Sequence, residues 1–156
     1  MAVDNSAEIS RLNSEIQANN NQINQCRAQI DQNYRDIEEL NSMIIHYNEL
    51  NSVLQNVAGE AFSIFQRLPE FGHTTAHPGS IINLNFFAPL FDVVKGSQYN
   101  SAKSSVENAI SKLRSQINRI QEEISGLNSQ ISNCNSNINA MNSSKASLEQ
   151  EQNSAE

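Results

Sequence analysis

The chain has 156 residues, 10 Lys plus Arg against 17 Asp plus Glu (net charge -7), and is 38% hydrophobic and 6% aromatic, which limits it to one domain of modest core volume. The negative balance, with no run of Lys or Arg, excludes a nucleic-acid binder, because neutralising phosphates requires clustered cations. No stretch approaches the roughly 18 to 20 consecutive apolar residues of a membrane span. The segment Met1 to Ser6 lacks the basic and apolar regions of a signal peptide, so a product that starts in the cytoplasm is expected.

Neutral amides and hydroxyls, 23 Asn, 13 Gln and 21 Ser, supply most of the polar surface. The first element is announced by Ile9, Ile16, Ile23, Ile30, Ile37 and Ile44, spaced by seven, with Leu12, Leu40 and Tyr47 three residues after members of that series and Leu54 seven after Tyr47. These are positions a and d of a heptad. The remaining d positions hold Asn19, Cys26 and Asn33, so two amides enter the seam, each costing on the order of 1 to 3 kcal/mol if buried without a partner. Asn5 with Glu8 three residues on predicts a capping box, and Leu68 before Pro69 predicts a stop, giving a helix over residues 6–67 of roughly 90 Å.

Residues 68–96 contain Pro69, Gly72, Pro78 and Gly79 and all six Phe except Phe62 and Phe65, namely Phe71, Phe86, Phe87 and Phe91. Ile81, Ile82, Leu84, Leu90, Val93 and Val94 accompany them, which predicts a small apolar head at the turn. The first helix widens its apolar face toward this end, where Met43 and Leu50 add g positions, so a third element is expected to pack there. The candidate is a short helix over 85–95, with Asn85 as cap, Phe87, Leu90, Phe91 and Val94 along one face, and Gly96 as a break. Two readings of this cluster stay open: a head that buries its own Phe residues, or a surface in which Phe86, Phe87, Leu90, Phe91 and Val94 receive a partner helix. Membrane insertion is disfavoured, since neither flank carries the cluster of cations that anchors an interfacial segment.

A second heptad series places Ile110, Ile117, Ile124, Ile131 and Ile138 at a, and Leu113, Ile120, Leu127, Cys134, Met141 and Leu148 at d. It predicts a helix over 97–150 with Ser at its start as cap and a frayed tail over 151–156. Gly126 falls at position c, away from the seam. Two narrow stripes joined by a Pro- and Gly-bearing turn predict an all-α fold, a long antiparallel coiled-coil helical hairpin with a Phe-rich helical head at the turn end.

In such a pair, a of one helix shares a layer with d of the other, and every layer has one sum of residue numbers. The sum 157 satisfies both series, placing Ile9 with Leu148, Ile16 with Met141, Ile23 with Cys134, Cys26 with Ile131, Ile30 with Leu127 and Ile37 with Ile120. Registers shifted by seven remain open. Cys26 and Cys134 then lie in adjacent layers and are expected to be separate buried thiols.

No chemistry-bearing constellation stands out. His73 and His77 are flanked by Gly72 and Pro78 without a zinc-site Glu, His46 stands alone, and the paired carboxylates Glu38–Glu39 and Glu122–Glu123 read as solvated helix faces. No nucleophile elbow or phosphate loop occurs. The expectation is a non-enzymatic protein with no catalytic residues, cofactor or metal.

The arrangement of long helix, turn, and Val94-Lys95-Gly96-Ser97-Gln98-Tyr99 leading into a second long helix resembles the helical-hairpin proteins of the WxG superfamily associated with type VII (Esx) secretion. Within it the chain looks most like the YwqH-like proteins of Gram-positive bacteria. Val94 stands where the motif carries Trp, Gly96 matches its Gly, and the resemblance covers nearly the whole chain as architecture but about six residues as motif. It implies a small partner that binds the helical targeting domain of an LXG-type effector and acts in export without a signal peptide. The companion Tyr-x-x-x-Asp/Glu signal occurs as Tyr34 with Glu38, in the first helix rather than a C-terminal tail. The alternative reading is a structural coiled-coil spacer or an oligomerisation module, including a homodimer.

Overall fold

The computed structural model describes residues 5–72 and 96–154, without side-chain detail at 65 and 68–72. The described residues form two α-helices, α1 over Ser6–Gly72 and α2 over Ser97–Ser154, packed against each other. The segment 73–95, with the expected Phe-rich head and the 85–95 helix, lies outside the described residues.

Both helices persist through a composition poor in intrinsic helix formers because their apolar faces pack against each other. In α2, Ser105, Ser115, Ser129, Ser136 and Ser144 each donate to the carbonyl four residues back, at 2.8 to 3.1 Å, which satisfies the hydroxyls at a small cost to the helix. The absence of Pro from α2 and from α1 before Pro69 leaves the backbone ladder uninterrupted.

The helix ends differ from their sequence limits. The Asn5 carbonyl accepts from the Ile9 amide at 3.0 Å, so α1 starts at the expected cap. Both Glu8 oxygens, however, accept from Arg11, so Glu8 turns forward along the helix. The Asn5 amide instead donates to the Leu148 carbonyl at 3.1 Å, tying this end of α1 to α2. α1 continues five residues past 67, with Pro69 in its last turn; Pro keeps a helical φ and forfeits one amide there. For α2 the cap is Gly96, whose carbonyl accepts from Asn100 at 3.2 Å, and Ser97 is the first residue inside the helix rather than its cap. α2 runs on to Ser154, because one more heptad layer holds it: Gln152, at position a, is half-buried.

Two compact units divide the chain. The first combines Met1–Glu38 with Ile117–Glu156, the second is Glu39–Gln116, and each contains a stretch of both helices. In the first unit Leu12, Ile23, Cys26, Ile117, Ile124, Leu127 and Cys134 are buried, and the remaining a and d positions are buried or half-buried without exception. Cross-helix bonds fix the direction and register of this seam: Asn5 meets Leu148, Asn13 meets Lys145, Cys26 meets Gln130 and Gln29 meets Glu123. Numbers rise on one helix as they fall on the other, so the pair is antiparallel. Cys26 beside Gln130 puts it in the layer of Ile131, as the sum 157 requires; a shift of seven would move Gln130 about 10 Å along the axis. In the second unit the seam is built from Val106, Ile110 and Ala58, with Ile44, Asn51, Leu54, Ala61, Tyr99, Lys103 and Leu113 half-buried.

No helix of the described residues is long and apolar enough to cross a membrane.

Candidate functional site: an open apolar stripe on α1

Position g precedes a and borders the seam. In the first unit g holds Glu15, Gln22, Gln29 and Asp36 on α1, and Glu123, Gln130, Asn137 and Ser144 on α2. This is the ordinary polar rim of a two-stranded coil, and Gln29 donates across it to Glu123 at 3.0 Å. The open groove lined by Glu15, Ala18, Asn19, Asn137, Ala140 and Met141 belongs to the same rim, and sets two amides and a carboxylate among three apolar side chains.

In the second unit the same position changes character. It holds Met43, Leu50, Val57 and Ile64, four large apolar residues at intervals of seven, exposed by 41, 46, 51 and 51%. Val53, at c, and Tyr47, at d, flank them and are exposed as well. On a helix, c, g and d occupy about 100° of one side, so these six residues form one continuous stripe over three heptad steps. Across the seam, g of α2 holds Ala102 and Ala109; by the relation that pairs Gln29 with Glu123, these small residues lie opposite Leu50 and Met43. One wall of the rim is bulky and the other low, which leaves a step against which a further helix can lie.

The opposite rim stays polar. Position e of the second unit carries Asn41, Asn48 and Gln55 on α1, and Asn100, Glu107 and Arg114 on α2, with Phe62 as the exception. Ile45, at b, is exposed by itself on that other side. Apart from Phe62 and Ile45, the large exposed apolar residues described in the second unit lie on one side of α1.

Charges frame the stripe along position c: Glu39, His46, Glu60 and Arg67 are exposed, and His46 lies 3.4 Å from Glu49 one turn on. Among the described residues no group of three or more His, Cys, Asp or Glu side chains could hold a metal ion. Cys26 and Cys134 are free thiols, both buried, and Cys26 faces Gln130 at 3.6 Å.

Of the residues singled out from sequence, Phe86, Phe87, Leu90, Phe91 and Val94 lie outside the described residues, as do His73 and His77. Gly96 is described and caps α2. Tyr34 is exposed in mid-helix with Glu38 one turn on. Met43 and Leu50 were legible as extra g positions and are exposed, and the third element expected to pack on them lies outside the described residues. Val57, Ile64 and Val53 complete the stripe; the spacing of seven from Met43 was the signal that located the first two. No family model, curated protein or solved structure matches the chain.

Proposed function

We propose that the protein is a non-enzymatic helical partner: a hairpin that offers a helix-docking face to a helical segment of a larger protein and completes a bundle with it. The observation that carries this reading is the open stripe of Met43, Leu50, Val57 and Ile64 beside the small Ala102 and Ala109. A helix laid along that step buries apolar side chains at about 25 cal/mol per Å² of apolar area removed from water. The Val94-Lys95-Gly96 sequence and its likeness to the WxG superfamily support a more specific form, in which the partner is the targeting domain of an LXG-type effector of a type VII pathway in a Gram-positive bacterium. The Phe86, Phe87, Leu90, Phe91 and Val94 cluster is then a second contact for the same partner.

Co-expression with an LXG-type targeting domain tests this reading. A one-to-one complex is expected, lost in the Leu50→Asp/Val57→Asp double variant and weakened in Phe87→Asp/Phe91→Asp. Absence of a complex with the unaltered chain, or full binding by both variants, contradicts it. A purely structural spacer draws support from the first unit, whose closed seam and polar rim leave no comparable surface.

A further inference from the structure

We propose that the partner helix received by the stripe has a basic edge: cations along the side that lies over position c of α1, a carboxylate where it passes Lys112 of α2, and a bulky apolar seam between the two edges. This rests on the helix-docking reading above and adds the chemistry of the occupant.

The step beside the stripe has two walls, and their charges differ. On α1 the wall is topped by position c, where Glu39, His46, Val53 and Glu60 follow one another at intervals of seven, and Glu49 stands behind His46 at 3.4 Å. On α2 the same position holds Gln98, Ser105 and Lys112. The layer sum 157 puts Lys112 at the height of residue 45, across the step from His46. All of these side chains are exposed, and among the described residues Glu39, Glu60 and Lys112 form no ion pair. A helix laid on the step takes part of their water away, so a like charge on its edge is penalised and an opposite charge is favoured. The α1 wall therefore selects cations and the α2 wall an anion.

Spacing narrows the fit. Glu39 and Glu60 lie three heptads apart, so two cations at that spacing on one edge meet both carboxylates at once. Sliding such a helix by one heptad toward Arg67 sets its cations against His46 and Arg67, and sliding it the other way leaves one of them over Val53. Charge thus selects one register among those the apolar spacing allows. The bulk of the partner's seam belongs over Ala102 and Ala109, where the wall is low, because large against small fills the layer without strain.

Two designed helical peptides of roughly four heptads, with the same apolar seam and with either Lys or Glu along both edges, are the probes. Fluorescence anisotropy with the full chain at low salt should show the Lys-edged peptide binding roughly tenfold tighter, a preference that shrinks as salt is added. Glu39→Gln/Glu60→Gln should remove most of it. Asp31→Asn/Glu122→Gln, which changes the net charge of -7 by the same amount away from the stripe, should keep it. Lys112→Glu should tighten the Lys-edged peptide severalfold. Equal binding of the two peptides, tighter binding of the Glu-edged one, or a preference that survives Glu39→Gln/Glu60→Gln overturns the basic edge and leaves the docking face standing. Binding of neither peptide, or binding untouched by Leu50→Asp/Val57→Asp, overturns the docking face and the basic edge together.

Discussion

Asn33 is 93% buried at a d position, and its amide nitrogen has no hydrogen-bond partner, whereas Asn19, also at d, donates to the Glu15 carbonyl at 2.9 Å. Two amides that look alike in sequence thus differ by one satisfied bond. Replacing Asn33 with Leu should stabilise the hairpin by about 1 to 3 kcal/mol in urea unfolding, and the same change at Asn19 should gain less. At the exposed start of α1, hydrogen bonding from Arg11 holds the Glu8 carboxyl below its ordinary value, outweighing an opposing effect of burial, and the Arg11 charge adds a smaller push in the same downward direction. A depressed folded-state pKa means that this contribution is present above the unfolded value and is lost as pH falls through the folded one. NMR titration should place the Glu8 midpoint below that of an ordinary glutamate, and Arg11→Ala should raise it again. Neither amide's fate was readable in the sequence, because each depends on a side-chain rotamer and on what the facing layer offers.

Each helix is held by its heptad, and the sequence shows this clearly wherever Ile or Leu fills the position. It shows it poorly where other residues do. Asn51, Ala58, Ala61, Lys103, Lys145 and Gln152 all continue the a and d series and are buried or half-buried, yet their side chains are polar or small. Lys145 does so by running its stem along the seam and placing its ammonium on Asn13 at 2.9 Å. The reach of α2 to Ser154 follows from this hidden layer at Gln152. Glycines make the element-level test: a methyl at Gly59 or Gly126 would meet no atom within 4 Å. Gly59→Ala and Gly126→Ala should therefore each raise stability by about 0.8 to 1 kcal/mol, the helix-propensity difference without a packing cost. A loss of stability at Gly126 would mean that this face of α2 is covered by something.

At the scale of the whole molecule, the two units differ in the surface that their described residues present. The first is a closed seam behind a polar rim, and the second carries the same seam plus an open apolar stripe, so binding is expected to map to residues 43–64 and to spare changes at positions such as Gln22 or Asn137. Everything functional assigned to the protein depends on the antiparallel pairing, since it alone sets Leu50 and Met43 beside Ala102 and Ala109. The direct test is zero-length carbodiimide coupling in the Asn13→Asp variant, read by mass spectrometry on a mixture of isotopically light and heavy chains. Lys145, which already bonds residue 13, should couple to it within single chains, alongside the local Lys145–Glu149 pair 3.8 Å apart. Coupling of 145 to 149 without any link to 13, or a 13–145 link found only between light and heavy chains, would contradict the hairpin.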